Sequence, residues 1–361
     1  MELISFNSIL QFNSICSTVN HLSKMTGVDA KNKPIYDQFL DSPILEVIGS
    51  EKIHGTNFSI AYNNGDGLWF QSRADIITPQ KDNAGSAFFG FANKDYFTKT
   101  ILALAEEYKI DLDKYSIVLS GEWAGRGIKT KSAVDGLEKQ FYIFQYFKVF
   151  LTGSKSEDKN YYFEETKLNG NWIDNPDRKI FNIMNFPTYT LSIDFSKPRL
   201  HINEMLEIVK KVEESSPVGQ YFGFNNNIGE GIVFSLKYKN KVLLWKVKGD
   251  AHSKSKVKVL KPVDDAKEQL KIDIAAQVSP AWRLEQMFDE ANNTINGGFG
   301  HIDNISKFLK LVVRDIIKEE SQLLFDNKLE IKDIVGSVNK IAKNWYLEQI
   351  DYNKSKDNKD E

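Results

Sequence analysis

The sequence predicts an α+β fold, in which an antiparallel-sheet domain is followed by a smaller α-helical domain. Strand-like runs rich in β-branched and aromatic residues, separated by turn signals, dominate from Ile44 to Lys248. Apolar residues recur at helical spacing beyond about Val263. A chain of 361 residues can form one large domain and a second, smaller one. We therefore predict a domain at 1–255 and a helical domain at 256–361.

The first elements are predicted from apolar runs and turn residues. Residues 1–42 mix short apolar runs with turn formers and are interpreted as an irregular lead-in. An apolar run at 44–48 predicts the first strand. The runs at 57–62 and 68–73 predict two strands, and the segment NNGDG at 63–67 between them is a strong hairpin signal.

The later elements alternate between strands and helices. Helical spacing predicts helices at 101–108 and 202–212. Strand character predicts strands at 116–123, 141–150, 231–238 and 241–248. Two amphipathic helices are predicted in the last hundred residues from apolar positions at Phe308, Leu309, Val312, Val313, Ile316 and Ile317, and at Ile334, Val338, Ile341 and Trp345.

Composition and cysteine content exclude several classes of protein. The only cysteine, Cys16, excludes an internal disulfide framework and a cysteine-based zinc site. No run approaches 18 apolar residues, and the N-terminus lacks the layout of a signal peptide. These observations predict a protein of the reducing cytoplasm with no membrane partner.

Charge is unevenly distributed along the chain. The net charge is only −2, which gives no support for a polyanionic partner. Residues 237–261, however, contain nine lysines and a single acid, Asp250. Such a local excess is expected where a protein contacts phosphates. The alternative is a solvated edge strand that lysines protect against aggregation.

A nucleophilic site is suggested by Lys52, which follows an apolar strand and precedes Gly55. A lysine amine is a poor nucleophile while it is protonated, and burial or neighbouring cations favour the neutral form. Lys246 and Lys248 stand two apart in a strand and therefore project from the same face. If that face is directed toward Lys52, the two lysines would favour the neutral amine of Lys52 and bind a phosphate. Taken alone, a lysine at a strand end is an ordinary surface residue.

Seven short segments follow one another along the chain, at 51–58 (EKIHGTNF), 70–73 (FQSR), 88–90 (FFG), 121–125 (GEWAG), 141–144 (FYIF), 230–233 (EGIV) and 245–248 (WKVK). In this order they resemble the motifs of the RNA ligase 2 family of covalent lysyl nucleotidyltransferases, namely motif I, motif Ia, the double-phenylalanine segment, and motifs III, IIIa, IV and V. His54 stands where most DNA ligases and capping enzymes have Asp, which is similar to the RNA ligase 2 branch. One departure is Arg126, where the family pattern has proline.

The resemblance implies a nucleotidyltransferase domain, an ATP-grasp-like ligase fold, and an ATP-dependent RNA ligase. In this family a lysine takes AMP from ATP, the AMP passes to an RNA 5′-phosphate, and a 3′-hydroxyl displaces it. Expected cofactors are ATP and Mg²⁺ or Mn²⁺, and the expected partner is RNA, as a nicked duplex or paired ends. The protein is expected to be a monomer that acts in RNA repair.

The resemblance also implies roles for individual residues. Lys52 is the expected nucleophile, with Lys246 and Lys248 as cations that stabilise charge on phosphate oxygens. Glu122 and Glu230 are the expected carboxylates, and both hold a hydrated Mg²⁺ through water. The alternatives are an edge strand for the two lysines and ordinary strand-end acids for the two glutamates.

Nucleotide and RNA contacts are implied for nine further residues. Most of them have an alternative in ordinary structure, as exposed hairpin, strand-start or core residues. Expected nucleotide contacts are Glu51, Asn57, Arg73, Phe144 and Val233, the last two as a sandwich around adenine. Expected residues of the later steps on RNA are His54, Thr56, Phe88 and Phe89.

Three functions remain open beside this one. A DNA ligase or an RNA-capping guanylyltransferase would use the same motifs, although capping enzymes usually carry a strand-rich OB-fold after them. A non-catalytic nucleic-acid-binding protein could keep the same scaffold.

The helical domain could bind duplex RNA through phosphates and 2′-hydroxyls, or it could bind protein or serve only in packing.

Overall fold

A computed structural model of the chain describes two compact units. Its described residues are all but 32, 38–39, 83, 129–131, 155–160, 225–227, 250–259, 293–303 and 358–361. The first unit consists of Met1–Val19, Ile44–Phe195 and His201–Lys261, and the second of Asn20–Pro43, Ser196–Leu200 and Pro262–Glu361. The predicted boundary between 255 and 256 lies outside the described residues, so the division at that point stays a prediction.

The described residues form the following elements. The helices are α1 (Phe12–Ser23), α2 (Ser86–Ala92), α3 (Lys94–Glu107), α4 (Ile202–Glu214), α5 (Pro217–Tyr221), α6 (Asp265–Gln277), α7 (Ala281–Asn292), α8 (Ile305–Glu319), α9 (Ser321–Asp326) and α10 (Ile331–Asp357). The strands are β1 (Met25–Val28), β2 (Pro34–Tyr36), β3 (Ile44–Glu51), β4 (Thr56–Asn63), β5 (Gly67–Gln71), β6 (Ile76–Ile77), β7 (Tyr115–Ala124), β8 (Gln140–Ile143), β9 (Tyr146–Leu151), β10 (Tyr161–Glu165), β11 (Lys167–Leu168), β12 (Asn171–Trp172), β13 (Ile180–Asn182), β14 (Tyr189–Asp194), β15 (Gly231–Tyr238) and β16 (Lys241–Lys248).

Two larger sheets and the two-stranded β11–β12 sheet lie in the first unit and, with its helices, confirm the predicted α+β class. The large sheet has the order β10-β9-β7-β4-β5-β6, with β8 paired to β7 and β13 paired to β8. The small sheet has the order β14-β3-β15-β16. All pairs in these two sheets are antiparallel except β13 with β8, which is parallel.

The β4–β5 hairpin forms as predicted. The backbone N–H of Asp66 donates to the Asn63 side chain at 2.6 Å, which closes the turn. Gly67 has a φ of +71°, a left-handed conformation in which glycine is favoured. Strand β5 ends at Gln71, so Arg73 lies beyond the strand to which the sequence assigned it.

The two faces of the large sheet differ in polarity because side chains alternate along each strand. One face packs on α3 and forms the main core, with Phe58, Ile60 and Leu119 fully buried beside Ile101 and Leu104. The residues between them on the strands point the other way, toward the small sheet. There Ser59 and Ser120 share a hydrogen bond of 2.8 Å in the interior. The small sheet therefore faces a surface that carries polar groups.

Two sequence interpretations were wrong. The lead-in at 1–42 contains helix α1 and the β1–β2 hairpin. Apolar residues at Phe12, Ile15 and Val19 are buried on one side of that helix. The single strand predicted at 141–150 is two strands, because β8 pairs with residues 121–124 of β7 whereas β9 pairs with 115–118. The chain shifts its register on β7 at Phe144 and Gln145.

The helices of the second unit confirm the helical pattern predicted from the C-terminal sequence. Phe308, Val312 and Ile316 of α8 are fully buried, as are Ile334 and Val338 of α10. A buried arginine completes this core, since Arg283 donates to Asp315 at 2.9 Å and to Glu320 at 2.6 Å. Within 262–292 and 304–357 the described residues form helices and no strand.

A lysine is buried in the large sheet. Lys148 of β9 is 6% exposed, and its ammonium donates to the Ser5 carbonyl at 2.7 Å. The ammonium also lies 4.0 Å from the centre of the Tyr161 ring. Burial lowers the pKa of Lys148 from 10.5 to about 8.

This buried lysine should make stability depend on pH. Between pH 8 and 10.5 the unfolded chain holds a proton at this position that the folded chain has lost, so stability rises with pH. We expect Lys148→Met to lose an increase of about 1–3 kcal/mol over that range. Denaturant unfolding of both proteins at pH 8 and pH 10 measures it, and an identical pH dependence in the two would contradict the assignment.

Candidate active site

Lys52 lies at the point where the small sheet approaches the large one. Its backbone N–H donates to the Gly231 carbonyl at 2.8 Å and continues the pairing of β3 with β15. Three residues later Gly55 packs so closely on β7 that an added Cβ would lie 2.4 Å from the Trp123 carbonyl. The Gly55 N–H donates to Glu122 at 3.1 Å. The turn after Lys52 is thereby fixed to both sheets.

The carboxylate of Glu230 is shared by three basic side chains. One oxygen, Oε2, accepts from Lys52 Nζ at 2.5 Å and lies 2.9 Å from His54 Nδ1. The other, Oε1, lies 2.5 Å from Lys248 Nζ. Glu230 is only 2% exposed, whereas Lys52 and Lys248 keep 18% and 22% of their side chains accessible. The anion is therefore buried and its cations border an accessible space.

The ionisation of Glu230 depends on these partners. Burial opposes the charged form, but the hydrogen bond with His54 and the positive charges of Lys52 and Lys248 outweigh burial. Together they hold the pKa of Glu230 well below its usual range. Glu230 is therefore an anion that fixes the basic side chains and is a poor proton acceptor.

Glycine at position 231 allows Glu230 and Lys248 to meet. Gly231 has a φ of +142°, and an added Cβ would lie 2.2 Å from the Val247 carbonyl. Gly231 is directly opposite Lys248 in the β15–β16 pair. The EG pair of motif IV therefore has a steric cause, because only glycine permits this approach of the two strands.

Glu122 faces the same space from the large sheet. It lies opposite Asn57 on β4 and opposite Tyr142 on β8. Burial raises the pKa of Glu122 to about 7, and the charge of Lys52 opposes that rise. Asn57, its neighbour, makes a long contact of 3.5 Å from Nδ2 to the Gly121 carbonyl.

Lys246 and Lys248 project from one face of β16, as the sequence predicted. Burial lowers the pKa of Lys246, and the charges of Lys248 and Lys52 lower it further. Arg73 adds a smaller effect of the same sign, so its guanidinium also belongs to this positive region although the side chain is exposed. The structure therefore brings Lys52, Lys246 and Lys248 together beside two glutamates.

Phe144 and Val233 are partly exposed residues of the two facing sheets. Val233 is directly opposite Lys246 in the β15–β16 pair. Ser235, two residues along the same face, donates to Gln145 of the large sheet at 2.5 Å. Phe144, which precedes Gln145, is thereby held near the surface that carries Val233. The sequence analysis did not single out Gln145, because its contact with Ser235 depends on the shift in pairing with β7 between β8 and β9.

Glu51 is not brought to the group around Lys52. Adjacent strand residues point to opposite faces, so its carboxylate lies on the far side of β3. There Glu51 accepts from Ser216 Oγ at 2.6 Å and from the Val218 N–H at 2.9 Å, at the start of α5. Burial raises the pKa of Glu51 to about 7. The sequence signal for this contact was Ser216 followed by Pro217, a typical helix start.

The double-phenylalanine segment has one residue inside and one outside. The Phe89 ring packs 4.6 Å from that of Trp123, whereas the Phe88 side chain is 67% exposed. Beside α2 lies a groove of about 490 Å³ whose lining includes Thr56, Asn57 and Ser86. The two phenylalanines therefore differ in what they can contact, although the sequence assigned them one role.

Comparison with known proteins identifies the family. A model of the RNA ligase family matches residues 45–256, which is more than half of the chain. The chain belongs to the RNA ligase family. A search of curated proteins finds no match.

Solved structures of RNA ligases resemble the chain at low identity. A Naegleria gruberi RNA ligase with pyrophosphate is 12% identical over 69% of this chain and 57% of its own, with a TM-score of 0.38. A mutant of that ligase with ATP and Mn is 13% identical, with the same coverage and TM-score. An archaeal ATP-dependent RNA ligase is 11% identical over 96% of this chain and 65% of its own, with a TM-score of 0.32. The chain thus spans less than two thirds of each.

The donor set of this family member suits a hydrated cation. Among the described residues no three acidic, histidine or cysteine side chains are grouped so that they could hold a metal ion by themselves. Glu230 is already bound by cations on both oxygens, while Glu122 accepts only one described hydrogen bond. Glu122 therefore has acceptor capacity for a divalent cation that keeps several waters and shares phosphate oxygens, whereas Glu230 would reach such a cation only through water. No helix in the described part of the chain has the length and apolar character needed to span a membrane.

Replacement of Glu51 distinguishes a structural role from adenine binding. If Glu51 mainly anchors α5, Glu51→Ala should lower the free energy of unfolding by about 1–3 kcal/mol, because Ser216 and the Val218 N–H lose their acceptor. The preference for ATP over GTP in covalent labelling should not change. Ser216→Ala is the matched control and should give a smaller loss of the same kind. A change of nucleotide preference in Glu51→Ala would instead support the adenine contact implied by the resemblance.

Proposed function

We propose that this chain is an ATP-dependent RNA ligase that joins a 3′-hydroxyl to a 5′-phosphate through lysyl-AMP and RNA-adenylate intermediates. The observation that carries this proposal is the shared carboxylate of Glu230. It holds Lys52 at 2.5 Å and Lys248 at 2.5 Å, beside Lys246 and Glu122, at the point where the two sheets meet. A protein that only bound nucleic acid would not require this arrangement of buried acids and half-buried lysines.

In the first step the amine of Lys52 attacks the α-phosphorus of ATP. A P–N bond forms, the bond to the β-phosphate oxygen breaks, and pyrophosphate leaves. Negative charge grows on the phosphate oxygens, and Lys246 and Lys248 are the described cations close enough to balance it. Because Glu230 is a strong acid here, we assign the Lys52 proton to solvent or to the departing phosphates and not to Glu230.

The next two steps transfer and release AMP. An oxygen of an RNA 5′-phosphate attacks the phosphorus of lysyl-AMP, and the lysine leaves with a proton. The 3′-hydroxyl then attacks the RNA 5′-phosphorus, AMP leaves, and the phosphodiester bond is complete. A divalent cation held by Glu122 and Glu230 through water would supply positive charge to the phosphates in these steps. We assign Asn57 and Arg73 to nucleotide or 5′-phosphate contacts, because both lie beside this space.

The preferred substrate is proposed to be nicked duplex RNA or paired RNA ends, in RNA repair. Support comes from the resemblance to the RNA ligase 2 family and from the exposed Phe88 of α2, the helix whose first residue, Ser86, lines a groove together with Thr56. His54 is assigned to the later steps, in which its contact with Glu230 links RNA to the lysine site. We propose that the protein acts as a monomer in the cytoplasm.

The helical second unit argues against the capping alternative, as the helical pattern of the C-terminal sequence did. A strand-rich domain after motif V would have favoured a guanylyltransferase, but in the described residues beyond 262 the second unit is helical. A DNA ligase would use the same lysine chemistry. Only the nucleic acid that is joined distinguishes it from an RNA ligase.

Covalent labelling tests the proposal directly. With Mg²⁺ and α-labelled ATP, wild type should retain label after denaturing electrophoresis and Lys52→Ala should retain none, because the P–N bond has no other nitrogen at this position. Lys241→Ala, an exposed lysine at the start of β16, is the control and should label as wild type does. Label from GTP in place of ATP would favour capping.

Two outcomes of the labelling experiment are interpreted together with a measurement of the mass of the intact protein. Protein that arrives already adenylated fails to label and carries the added mass of AMP. If wild type neither labels nor carries AMP, the ligase proposal fails and a binding protein takes its place. Normal labelling of Lys52→Ala would exclude Lys52 as the nucleophile.

The two neighbouring phenylalanines separate RNA contact from folding. Phe88→Ala should change stability by less than about 0.5 kcal/mol, because Phe88 is 67% exposed, and should lower sealing of nicked RNA with little effect on labelling. Phe89→Ala should lose about 3–5 kcal/mol through the cavity left beside Trp123. Urea unfolding and a sealing assay measure both. Sealing by Phe88→Ala at the wild-type rate would remove Phe88 from the RNA surface.

A further inference from the structure

The segment before α1 crosses from the large sheet to the small sheet. At the large sheet, the Ile4 N–H donates to Gln71 at 3.2 Å, and the Ile4 carbonyl accepts from the same side chain. Lys148 donates to the Ser5 carbonyl at 2.7 Å. Ile4 is 2% exposed and Gln71 is 1% exposed, so this attachment is in the interior.

The other end of the segment is attached to β16 of the small sheet. Asn7 Nδ2 donates to the Val242 carbonyl at 3.0 Å. The Leu10 N–H donates to the Leu244 carbonyl at 2.8 Å. Phe6 lies between the two attachments, so its backbone is fixed from both sides.

The Phe6 ring closes the apolar end of the space between the sheets. It lies 5.4 Å from the Phe144 ring and 5.7 Å from the Phe163 ring, measured between ring centres. It also packs against the cluster that contains Val242 and Leu244. Neither attachment of the segment requires an aromatic residue at position 6, since all of them are made by neighbouring residues.

The inner face of β16 changes from apolar to cationic along its length. Val242 and Leu244 precede Lys246 and Lys248 on that face, since side chains alternate. A nucleoside triphosphate has the same order, a flat base followed by phosphates. With the phosphates at Lys246 and Lys248, the base is directed toward Phe144 and the apolar end, where Phe6 lies.

We infer that Phe6 is a positioning residue that forms the end wall against the base of the bound nucleotide. It limits how far the base enters and contributes to nucleotide binding through its contact with the edge of the base. Through the same contact it excludes purines with an enlarged edge. This inference rests on the proposed function, because it requires that the chain accept ATP at Lys52.

The experiment compares ATP with ATP analogues enlarged at N6 or at C2, using formation of the covalent adenylate as readout. In Phe6→Ala the KM for ATP should rise about tenfold while kcat changes by less than about threefold. For at least one analogue, the ratio of its kcat/KM to that of ATP should rise tenfold or more. A residue that only stabilised the fold would lower labelling by ATP and by the analogues in parallel.

Two further variants control for folding. Phe12→Ala removes a buried ring at the start of α1 that packs on Trp245, on the opposite face of β16. The ratio of analogue to ATP in this variant should stay at the wild-type value. Phe6→Leu keeps an apolar side chain and should give an intermediate ratio even if Phe6→Ala does not fold. An unchanged ratio in Phe6→Leu together with weaker labelling by ATP would overturn the inference. If wild type fails to label with ATP and carries no AMP, the proposed function itself fails.

Discussion

The arrangement of the site depends on one buried carboxylate with three basic partners. A buried charge is tolerated when it is paired, and removal of one partner leaves an uncompensated charge. Glu230 is paired with Lys52, His54 and Lys248, which come from the turn after β3 and from the end of β16. This single anion therefore joins segments nearly 200 residues apart, and it offsets the repulsion between lysines that strand pairing brings together.

The glycines beside this anion have equally specific causes. Gly231 allows β15 to approach β16 at Lys248, and Gly55 allows the turn after Lys52 to approach β7. Gly231 brings its neighbour Glu230 next to Lys248. Gly55 donates its own N–H to Glu122 and so holds the turn that carries Lys52. Short motifs that pair glycine with an acid or a lysine are thus explained by backbone approach as much as by chemistry.

Much of this site followed from sequence because strands have a period of two. The common face of Lys246 and Lys248 and the position of Lys52 after a strand required only that rule. The same rule could have shown that Glu51 and Lys52 point to opposite faces, which the resemblance obscured. The register shift at Phe144 could not be predicted, because it depends on which residues of β7 serve as partners. Helix α1 could have been predicted, because its buried apolar residues Phe12, Ile15, Cys16, Val19 and Leu22 recur at helical spacing.

The attachment of Leu10 to β16 has a consequence for folding of the protein during its synthesis on the ribosome. Leu10 donates to the Leu244 carbonyl, 234 residues further along (244 minus 10). At ~5–20 residues per second, the first segment waits roughly 10–50 s for its partner strand to be made. During that time the contacts of Phe6, Asn7 and Leu10 with β16 cannot form, and the fold closes only after most of the chain has emerged. Pairing at such separation also slows folding, so nascent chains of this ligase family member are expected to depend on holding chaperones.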